Sequence, residues 1–200
     1  MQVFVGKTAP DFTATAVMPD GSLDTNFNLR NYSNGHKTII FFYPLDFTFV
    51  CPSEIIAFNN RLGEFSSRNT KVISVSIDSH FSHLAWKSTP PSKGGIGNVQ
   101  FPMISDINKI ISRAYNVLTE DGISLRGTFL IDENFVVRHL LVNDLPLGRN
   151  IDEAIRMVDA LDFHNKHGEV CPAGWKKGED AMSATQQGVA DYLASNAEKL

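Results

Sequence analysis

The sequence predicts an α/β fold with a mixed central sheet flanked by helices, an N-terminal hairpin and a C-terminal arm. Thr38–Tyr43 and Lys71–Ile77 are apolar runs of strand length, typical of strands buried on both faces of a sheet. A segment with helical spacing follows each run, so we expect these two strands to be parallel. Two later apolar segments flank Asp132-Glu133-Asn134 and predict an antiparallel hairpin, which makes the sheet mixed.

The first half of the chain begins with a predicted β-hairpin. Phe12–Met18 and Leu23–Leu29 are its strands, and Asp20-Gly21 is its turn. After the strand that ends at Tyr43, the apolar residues of Pro52–Phe65 recur at helical spacing. A second helix is expected to begin in Phe81–Trp86, after the second buried strand.

The second half starts with a loop rich in proline and glycine, residues 90–97. Ile107–Tyr115 then predicts a short helix. Gly127–Ile131 and Phe135–Val142 are the strands of the later hairpin. Ile151–Leu161 follows as a helix, because its apolar residues lie on one face.

Beyond Phe163 the composition becomes polar and rich in glycine, which indicates an arm rather than a second domain. We therefore divide the chain into a domain of residues 1–163 and an arm of residues 164–200. An amphipathic stretch, Ala181–Leu193, predicts a helix near the end of the arm. Such an arm is expected to pack on another surface, for example that of a second subunit.

Composition and charge exclude several classes of protein. The 200 residues include 18 Lys and Arg and 22 Asp and Glu, a net charge of −4, with no basic stripe typical of nucleic-acid binding. The longest apolar run, Ile39–Tyr43, is far shorter than the roughly 20 residues of a membrane helix. Met1–Lys7 has no basic segment followed by an apolar one, so we expect no signal peptide and a cytoplasmic protein.

The chain has two cysteines, Cys51 and Cys171. They are too few for a disulfide scaffold or a four-thiolate zinc site, and neither belongs to a C-x-x-C pair. The histidine pairs His80/His83 and His164/His167 lack a third ligand, so we expect no metal and no cofactor. The cysteines are then either buried small side chains or reactive thiols.

Cys51 occupies the position expected of a reactive thiol. It precedes Pro52, which suits the first position of a helix, so Cys51 lies at a predicted helix N-terminus. The positive end of the helix dipole favours a thiolate there. Thr48, one turn earlier, provides a hydroxyl that can hydrogen-bond to a group bound at the sulfur. A thiolate with polar donors around it attacks soft electrophiles such as peroxides and disulfides.

The segment around this cysteine, Phe42-Tyr43-Pro44-Leu45-Asp46-Phe47-Thr48-Phe49-Val50-Cys51-Pro52, resembles the motif of the typical two-cysteine peroxiredoxins. Four further segments resemble the same family in the same order: Val75-Ser76-Ile77-Asp78-Ser79-His80-Phe81-Ser82-His83-Leu84-Ala85-Trp86, Leu125-Arg126-Gly127-Thr128-Phe129-Leu130-Ile131-Asp132, Asn143-Asp144-Leu145-Pro146-Leu147-Gly148-Arg149, and His167-Gly168-Glu169-Val170-Cys171-Pro172-Ala173-Gly174-Trp175. Five segments in register over almost the whole chain make the resemblance specific.

The resemblance implies a thioredoxin-like fold and a role for each of several residues. Cys51 corresponds to the peroxidatic cysteine, whose thiolate is oxidised by peroxide to a sulfenic acid. Thr48 corresponds to the residue that hydrogen-bonds the peroxide, and Pro44 to the one that shields the site from water. Arg126 corresponds to the arginine that holds the thiolate and stabilises charge across the O–O bond. Cys171 corresponds to the resolving cysteine, which forms a disulfide with Cys51 of a partner subunit.

The exact roles of two residues near the site, and the sensitivity of the protein to excess peroxide, are less closely defined by the sequence. The family gives Arg149 a supporting role. Glu54 either stabilises the dipole of its helix or joins Arg149 in a polar network. The Gly94-Gly95-Ile96-Gly97 segment resembles a feature of peroxide-sensitive members, and Tyr192-Leu193 departs from the Tyr-Phe pair that accompanies it. We therefore expect moderate susceptibility to overoxidation.

The resemblance also implies partners and an alternative function. Thioredoxin or a flavoprotein disulfide reductase would recycle the disulfide, and the chain would form a homodimer that assembles into a decameric ring. Phe81 and Ser82 correspond to the contact region between dimers. The alternative is a redox-controlled holdase chaperone or a peroxide sensor. Cys51→Ser would abolish peroxide turnover, whereas client binding by a chaperone would survive it. A disulfide oxidoreductase is disfavoured because no C-x-x-C is present.

Overall fold

The computed structural model describes residues 4–200, which include one mixed sheet. Its seven strands are, in chain order, β1 (Thr13–Val17), β2 (Leu23–Asn28), β3 (Lys37–Phe42), β4 (Thr70–Ser76), β5 (Met103–Ser105), β6 (Arg126–Ile131) and β7 (Val137–Asn143). They lie in the order β2-β1-β5-β4-β3-β6-β7. The pairs β3/β4 and β4/β5 are parallel and the other neighbours are antiparallel, which confirms the predicted mixed sheet.

The helices of the described residues are α1 (Leu29–Ser33), α2 (Cys51–Asn60), α3 (Leu62–Ser66), α4 (His80–Ser88), α5 (Ile110–Ala114), α6 (Ile151–His167) and α7 (Gln186–Asn196), with short 3-10 turns at Pro91–Lys93 and Ala197–Lys199. The chain divides into two units, one that ends at Ile151 and one that runs from Asp152 to Leu200. The whole sheet and α1 to α5 lie in the first unit. Met1–Val3, part of the segment from which we expect no signal peptide, lie outside the described residues.

The central strand β3 is buried on both faces, as its unbroken apolar sequence predicts. Ile40 and Phe42 belong to a core cluster on one face. Phe41 points to the opposite face because side chains alternate along a strand, and its ring stacks on Phe58 of α2 with centroids 4.2 Å apart. Helix α2 is therefore packed directly against the strand that precedes it, which fixes the position of its N-terminus.

Several elements differ from the sequence prediction. The segment expected as one helix over Pro52–Phe65 is two helices, α2 and α3, because the backbone leaves helical geometry at Arg61 (φ −105°, ψ 7°). The helix expected over Ile107–Tyr115 begins only at Ile110, because Lys109 adopts a left-handed conformation with φ 59°. Strand β5 was not predicted, since three residues are too few to show a periodic pattern.

The helix expected over Ile151–Leu161 continues to His167, past the end of the predicted domain. The helix expected over Ala181–Leu193 is α7, which begins five residues later, with Thr185 accepting a capping hydrogen bond from the Gly188 N–H. In residues 4–200, no helix is long and apolar enough to cross a membrane.

Candidate active site

Cys51 is the first residue of α2, and its side chain is buried with 1% of the residue exposed. Pro52 is the second residue of the helix, one position later than predicted. The N-cap residue, Val50, makes no capping hydrogen bond through its side chain. Strand β3 ends at Phe42, and a loop of residues 43–50 joins it to α2. The sulfur therefore lies at the carboxyl edge of the central strand, where the helix dipole favours negative charge.

Thr48 and Pro44 both lie in this loop. The Thr48 Oγ1 atom is 3.0 Å from the Cys51 Sγ atom and 2.8 Å from the Leu45 carbonyl oxygen. A hydroxyl has one proton, so Thr48 donates either to the sulfur or to the carbonyl oxygen. Pro44 is buried. The Thr48 hydroxyl therefore lies next to the sulfur, and its expected hydrogen bond to a bound peroxide stays a prediction.

Arg126 reaches the Cys51 sulfur from β6, the strand next to β3. It is the first residue of β6, which pairs antiparallel with β3, so the start of β6 and the end of β3 share one edge of the sheet. Its Nη1 atom is 3.4 Å from the Cys51 Sγ atom, and its Nε atom donates to the Leu145 carbonyl at 2.7 Å. The side chain is only 4% exposed, unlike most arginines. The guanidinium therefore presents positive charge directly to the sulfur.

Glu54 joins the two arginines, and it is also the acidic residue in the first turn of α2, so both alternatives left open for it agree with its position. Its Oε2 atom accepts from Arg126 Nη1 at 2.6 Å, and its Oε1 atom accepts from Arg149 Nε at 2.9 Å. The Arg149 backbone N–H also donates to Oε1, at 3.0 Å. The carboxylate side chain is 2% exposed. Glu54 thus belongs to a polar network with Arg149, and it aligns Arg126 towards Cys51.

Arg149 ties this cluster to two strands of the sheet. Its Nη1 atom donates to the Gly127 carbonyl at 2.9 Å, and its Nη2 atom donates to the Phe42 carbonyl. Burial lowers the pKa of the Arg149 guanidinium, and the charge of Glu54 opposes that effect. Its contacts with backbone and carboxylate hold this cation in place beside the site.

Cys171 lies in the second unit, after α6. Its Sγ atom is half-buried and lies 3.6 Å from the Ala160 carbonyl oxygen. Burial raises the pKa of the Cys171 thiol, and the nearby Arg156 guanidinium partly opposes this shift. Arg156 itself is held by both carboxylate oxygens of Glu153, each at 2.7 Å, and donates to the Trp175 carbonyl at 3.1 Å. Cys171 and Cys51 are both free thiols.

Phe81 and Ser82, the residues expected at a contact between dimers, are on the first turn of α4. The Phe81 side chain is 68% exposed. The Ser82 backbone N–H donates to the Ser79 side chain, which caps the helix. A large exposed aromatic side chain at this position is available for contact with another molecule.

The Gly94-Gly95-Ile96-Gly97 segment is packed against α4. Trp86 donates from its indole nitrogen to the Gly94 carbonyl at 2.9 Å, and Ile96 is 4% exposed. A Cβ atom on Gly95 would lie 1.8 Å from the Thr89 carbonyl oxygen, so only glycine fits there.

One buried polar group near the site was not predicted. His83, considered in the sequence only as half of a weak metal-ligand pair, is fully buried and hydrogen-bonded to Asp46 at 2.9 Å. The two residues lie 37 positions apart, so no local pattern links them. Among residues 4–200, no group of three or more His, Cys, Asp and Glu side chains is placed to hold a metal.

A buried helix-terminal cysteine, contacted by a threonine hydroxyl and an arginine on a thioredoxin-like sheet, defines the class of thiol peroxidases called peroxiredoxins. The profile of the AhpC/TSA family matches residues 5–140, and the profile of the C-terminal domain of 1-Cys peroxiredoxin matches residues 160–195. The chain belongs to the AhpC/TSA family.

Individual relatives agree with this assignment. Alkyl hydroperoxide reductase C of Helicobacter pylori is 57% identical over 198 residues, which cover 99% of this chain and 100% of that protein. Peroxiredoxin-1 of Gallus gallus is 51% identical over 194 residues, 96% of each chain. The reduced 2-Cys peroxiredoxin of Plasmodium vivax has a similar structure, with a TM-score of 0.94 and 50% identity over 96% of this chain and 100% of that one.

Proposed function

We propose that the protein reduces hydrogen peroxide and organic hydroperoxides, with Cys51 as the peroxidatic nucleophile. The observation that carries the proposal is the surroundings of the Cys51 Sγ atom, which has Thr48 Oγ1 at 3.0 Å and Arg126 Nη1 at 3.4 Å. A donor hydroxyl and a buried cation at one sulfur suit a thiolate and the negative charge that develops on a peroxide as its O–O bond breaks. The name of the Helicobacter pylori relative supports alkyl hydroperoxides as one substrate class.

In the proposed reaction, the Cys51 thiolate attacks one oxygen of the peroxide. An S–O bond forms and the O–O bond breaks, so the sulfur is oxidised to a sulfenic acid and the peroxide is reduced. The leaving oxygen takes up a proton and departs as water or an alcohol. Thr48 hydrogen-bonds the peroxide, Arg126 stabilises the charge spread over the two oxygens, and Pro44 keeps bulk water from the sulfur. Glu54 and Arg149 hold Arg126 in place.

Cys171 of a partner subunit then resolves the sulfenic acid. Its thiolate attacks the Cys51 sulfur, a disulfide forms and the hydroxyl leaves as water. A dithiol donor, thioredoxin or a flavoprotein disulfide reductase, supplies the two electrons that reopen the disulfide. The chemistry requires no bound cofactor in this chain. In this proposal, residues 1–163 are the peroxidase domain and residues 164–200 the arm that presents Cys171.

The proposed assembly is a homodimer that forms a decameric ring in the cytoplasm. Strand β7 is an edge of the sheet, with Leu141 and Val142 both more than a third exposed, and an unpaired edge suits symmetric pairing with a second copy. Phe81 and Ser82 would form the contact between dimers. Analytical ultracentrifugation of wild type and Phe81→Asp tests this, because a charge at the contact should reduce a decamer to dimers.

A non-reducing gel tests the catalytic cycle. After one equivalent of hydrogen peroxide, wild type should form a covalent dimer, whereas Cys51→Ser and Cys171→Ser should not. Mass spectrometry should find a sulfenic acid on Cys51 in the Cys171→Ser variant. A wild-type Cys51 that stays a thiol would overturn the peroxidase proposal. An oxidised Cys51 without a covalent dimer would overturn only the role given to Cys171.

Exposed aromatic side chains favour a second candidate, a holdase chaperone. Phe49 is 97% exposed and Phe81 is 68% exposed, and such residues can bind the apolar segments of unfolded proteins. Suppression of aggregation of a thermally unfolded client should survive Cys51→Ser, since it needs no reactive thiol. Loss of suppression in that variant, with its assembly intact, would contradict a chaperone function independent of the thiol.

A further inference from the structure

Three buried side chains hold the loop that carries Thr48. We call Tyr43, Asp46 and His83 the loop anchor. The Tyr43 hydroxyl donates to Asp46 Oδ1 at 2.8 Å, and His83 Nδ1 lies 2.9 Å from Asp46 Oδ2. Tyr43 and Asp46 belong to the loop of residues 43–50, whereas His83 belongs to α4. The anchor therefore connects the loop to a helix that lies elsewhere in the sequence.

Both ring nitrogens of His83 have buried partners. Its Nδ1 atom faces the Asp46 carboxylate, and its Nε2 atom lies 3.2 Å from the Ile104 carbonyl oxygen. The Tyr43 hydroxyl also lies 3.3 Å from Nδ1, so each of the three anchor side chains contacts the other two. The His83 side chain is 0% exposed and that of Asp46 is 1% exposed. A polar group buried this deeply must be hydrogen-bonded, and Asp46 has a partner at each side-chain oxygen, Tyr43 at Oδ1 and His83 at Oδ2.

A backbone contact fixes the same point of the loop. The Asp46 N–H donates to the Asp78 carboxylate at 2.9 Å, and that carboxylate also accepts from the Ser76 hydroxyl at 2.8 Å. Asp46 is thus held through its backbone by the segment after β4 and through its side chain by α4. Neither its position nor its orientation can change without the loss of one of these contacts.

The residue between Asp46 and Thr48 is strained. Phe47 has φ 53°, the left-handed region that residues other than glycine rarely adopt. A strained conformation persists only where the surrounding structure enforces it. The anchored Asp46 lies on one side of Phe47. On the other side, the Thr48 hydroxyl lies 3.0 Å from the Cys51 sulfur.

We propose that the loop anchor is a set of positioning residues for the peroxide reaction: it enforces the strained turn at Phe47 that points the Thr48 hydroxyl at Cys51. The inference rests on the proposed function of Cys51 and Thr48. None of the three anchor residues touches the sulfur in this arrangement, so they act on the reaction through Thr48. Without the anchor, the loop relaxes and the hydroxyl moves away from the sulfur.

The test is a double-mutant cycle with Thr48→Val. The second-order rate constant for oxidation of Cys51 by hydrogen peroxide is measured by stopped flow for Tyr43→Phe and His83→Gln. With Thr48 present, we expect a loss of about 3- to 10-fold for Tyr43→Phe and about 10- to 100-fold for His83→Gln, because small displacements of a catalytic group are costly. In the Thr48→Val background, both substitutions should change the rate less than about twofold.

The control is His80→Gln, on the same helix and one turn earlier, which should leave the rate unchanged. Equal losses in both Thr48 backgrounds would overturn the proposal, because the anchor would then act on the fold and not through Thr48. Full activity of both anchor variants would also overturn it. If His83→Gln fails to fold, Tyr43→Phe decides, since it removes one oxygen and keeps the ring. A wild-type Cys51 that does not react at all would instead refute the proposed function.

Discussion

Replacement of Glu54 by glutamine should destabilise the reduced protein by about 3–5 kcal/mol, the usual cost of removing one member of a buried ion pair. Two guanidinium groups face the carboxylate, with Arg126 at 2.6 Å on Oε2 and Arg149 at 2.9 Å on Oε1. An amide nitrogen in place of either oxygen points its own protons at an N–H donor. Glu54 Oε1 accepts two hydrogen bonds from Arg149 groups, and Oε2 accepts one from each arginine, at 2.6 and 3.2 Å.

Either orientation of the glutamine amide therefore loses two hydrogen bonds in which the acceptor, the donor or both are charged. Each is worth about 1.5–3 kcal/mol, so the loss is about 3–6 kcal/mol, which agrees with the ion-pair value. Urea titration at fixed protomer concentration measures it, since the stability of an oligomer depends on concentration. The midpoint should fall with little change in the slope.

The control is Glu64→Gln on the surface. Glu64 pairs with Arg61, but the two side chains are 44% and 33% exposed, so the loss should stay below about 1 kcal/mol. A loss below about 1 kcal/mol for Glu54→Gln as well would refute the reasoning, because it would mean that the two arginines find other acceptors or water. In that case Glu54 would not be what aligns Arg126.

Three further predictions concern other side chains. Arg126→Lys should slow the oxidation of Cys51 by peroxide about 10²- to 10³-fold in stopped flow. The reason is that a lysine ammonium lacks the planar guanidinium that reaches both the Cys51 sulfur and the Glu54 carboxylate. A loss below threefold would contradict the role given to Arg126. Burial raises the pKa of Cys171, so the rate of disulfide formation should rise about tenfold per pH unit between pH 7 and 9 in a quenched-flow assay. Arg156→Met should move this pH profile to higher pH, because the Arg156 guanidinium opposes the shift. A rate that does not change with pH would argue against attack by the Cys171 thiolate. Lys87→Met should lower the free energy of unfolding by about 2–4 kcal/mol, because the Lys87 ammonium donates to three carbonyl oxygens at 2.6–3.0 Å. Lys93 is exposed, so Lys93→Met should have little effect in the same urea titration.

The long strands and the start of the helix at Cys51 were predictable because their signals are local. An unbroken apolar run such as Thr38–Tyr43 can only be buried on both faces, and β3 is buried at every position. Cys51 before Pro52 marks a helix start, and the helix starts there. These signals need no knowledge of distant contacts.

The polar network around the sulfur could not be predicted in the same way. From its own surroundings in the sequence, Arg126 is a surface arginine at the start of a strand, and only the resemblance to a family assigned it to the site. Its burial depends on Glu54, which lies 72 residues earlier, and on the pairing of β6 with β3. His83 and Asp46 show the same difficulty, because propensity and periodicity describe neighbours and not partners across a fold.

The charges of the site link its reactivity to its stability. Arg126 and Arg149 contribute +2 and Glu54 contributes −1, so the cluster carries a net +1, with every side chain at most 4% exposed. A thiolate on Cys51 neutralises this buried charge, whereas a sulfenic acid does not. Oxidation should therefore destabilise the folded site and favour its opening towards a resolving thiol. In the Cys171→Ser variant, the sulfenic acid form should unfold at a lower urea concentration than the thiolate form. Equal midpoints would mean that solvent, and not Cys51, balances the charge of the arginines.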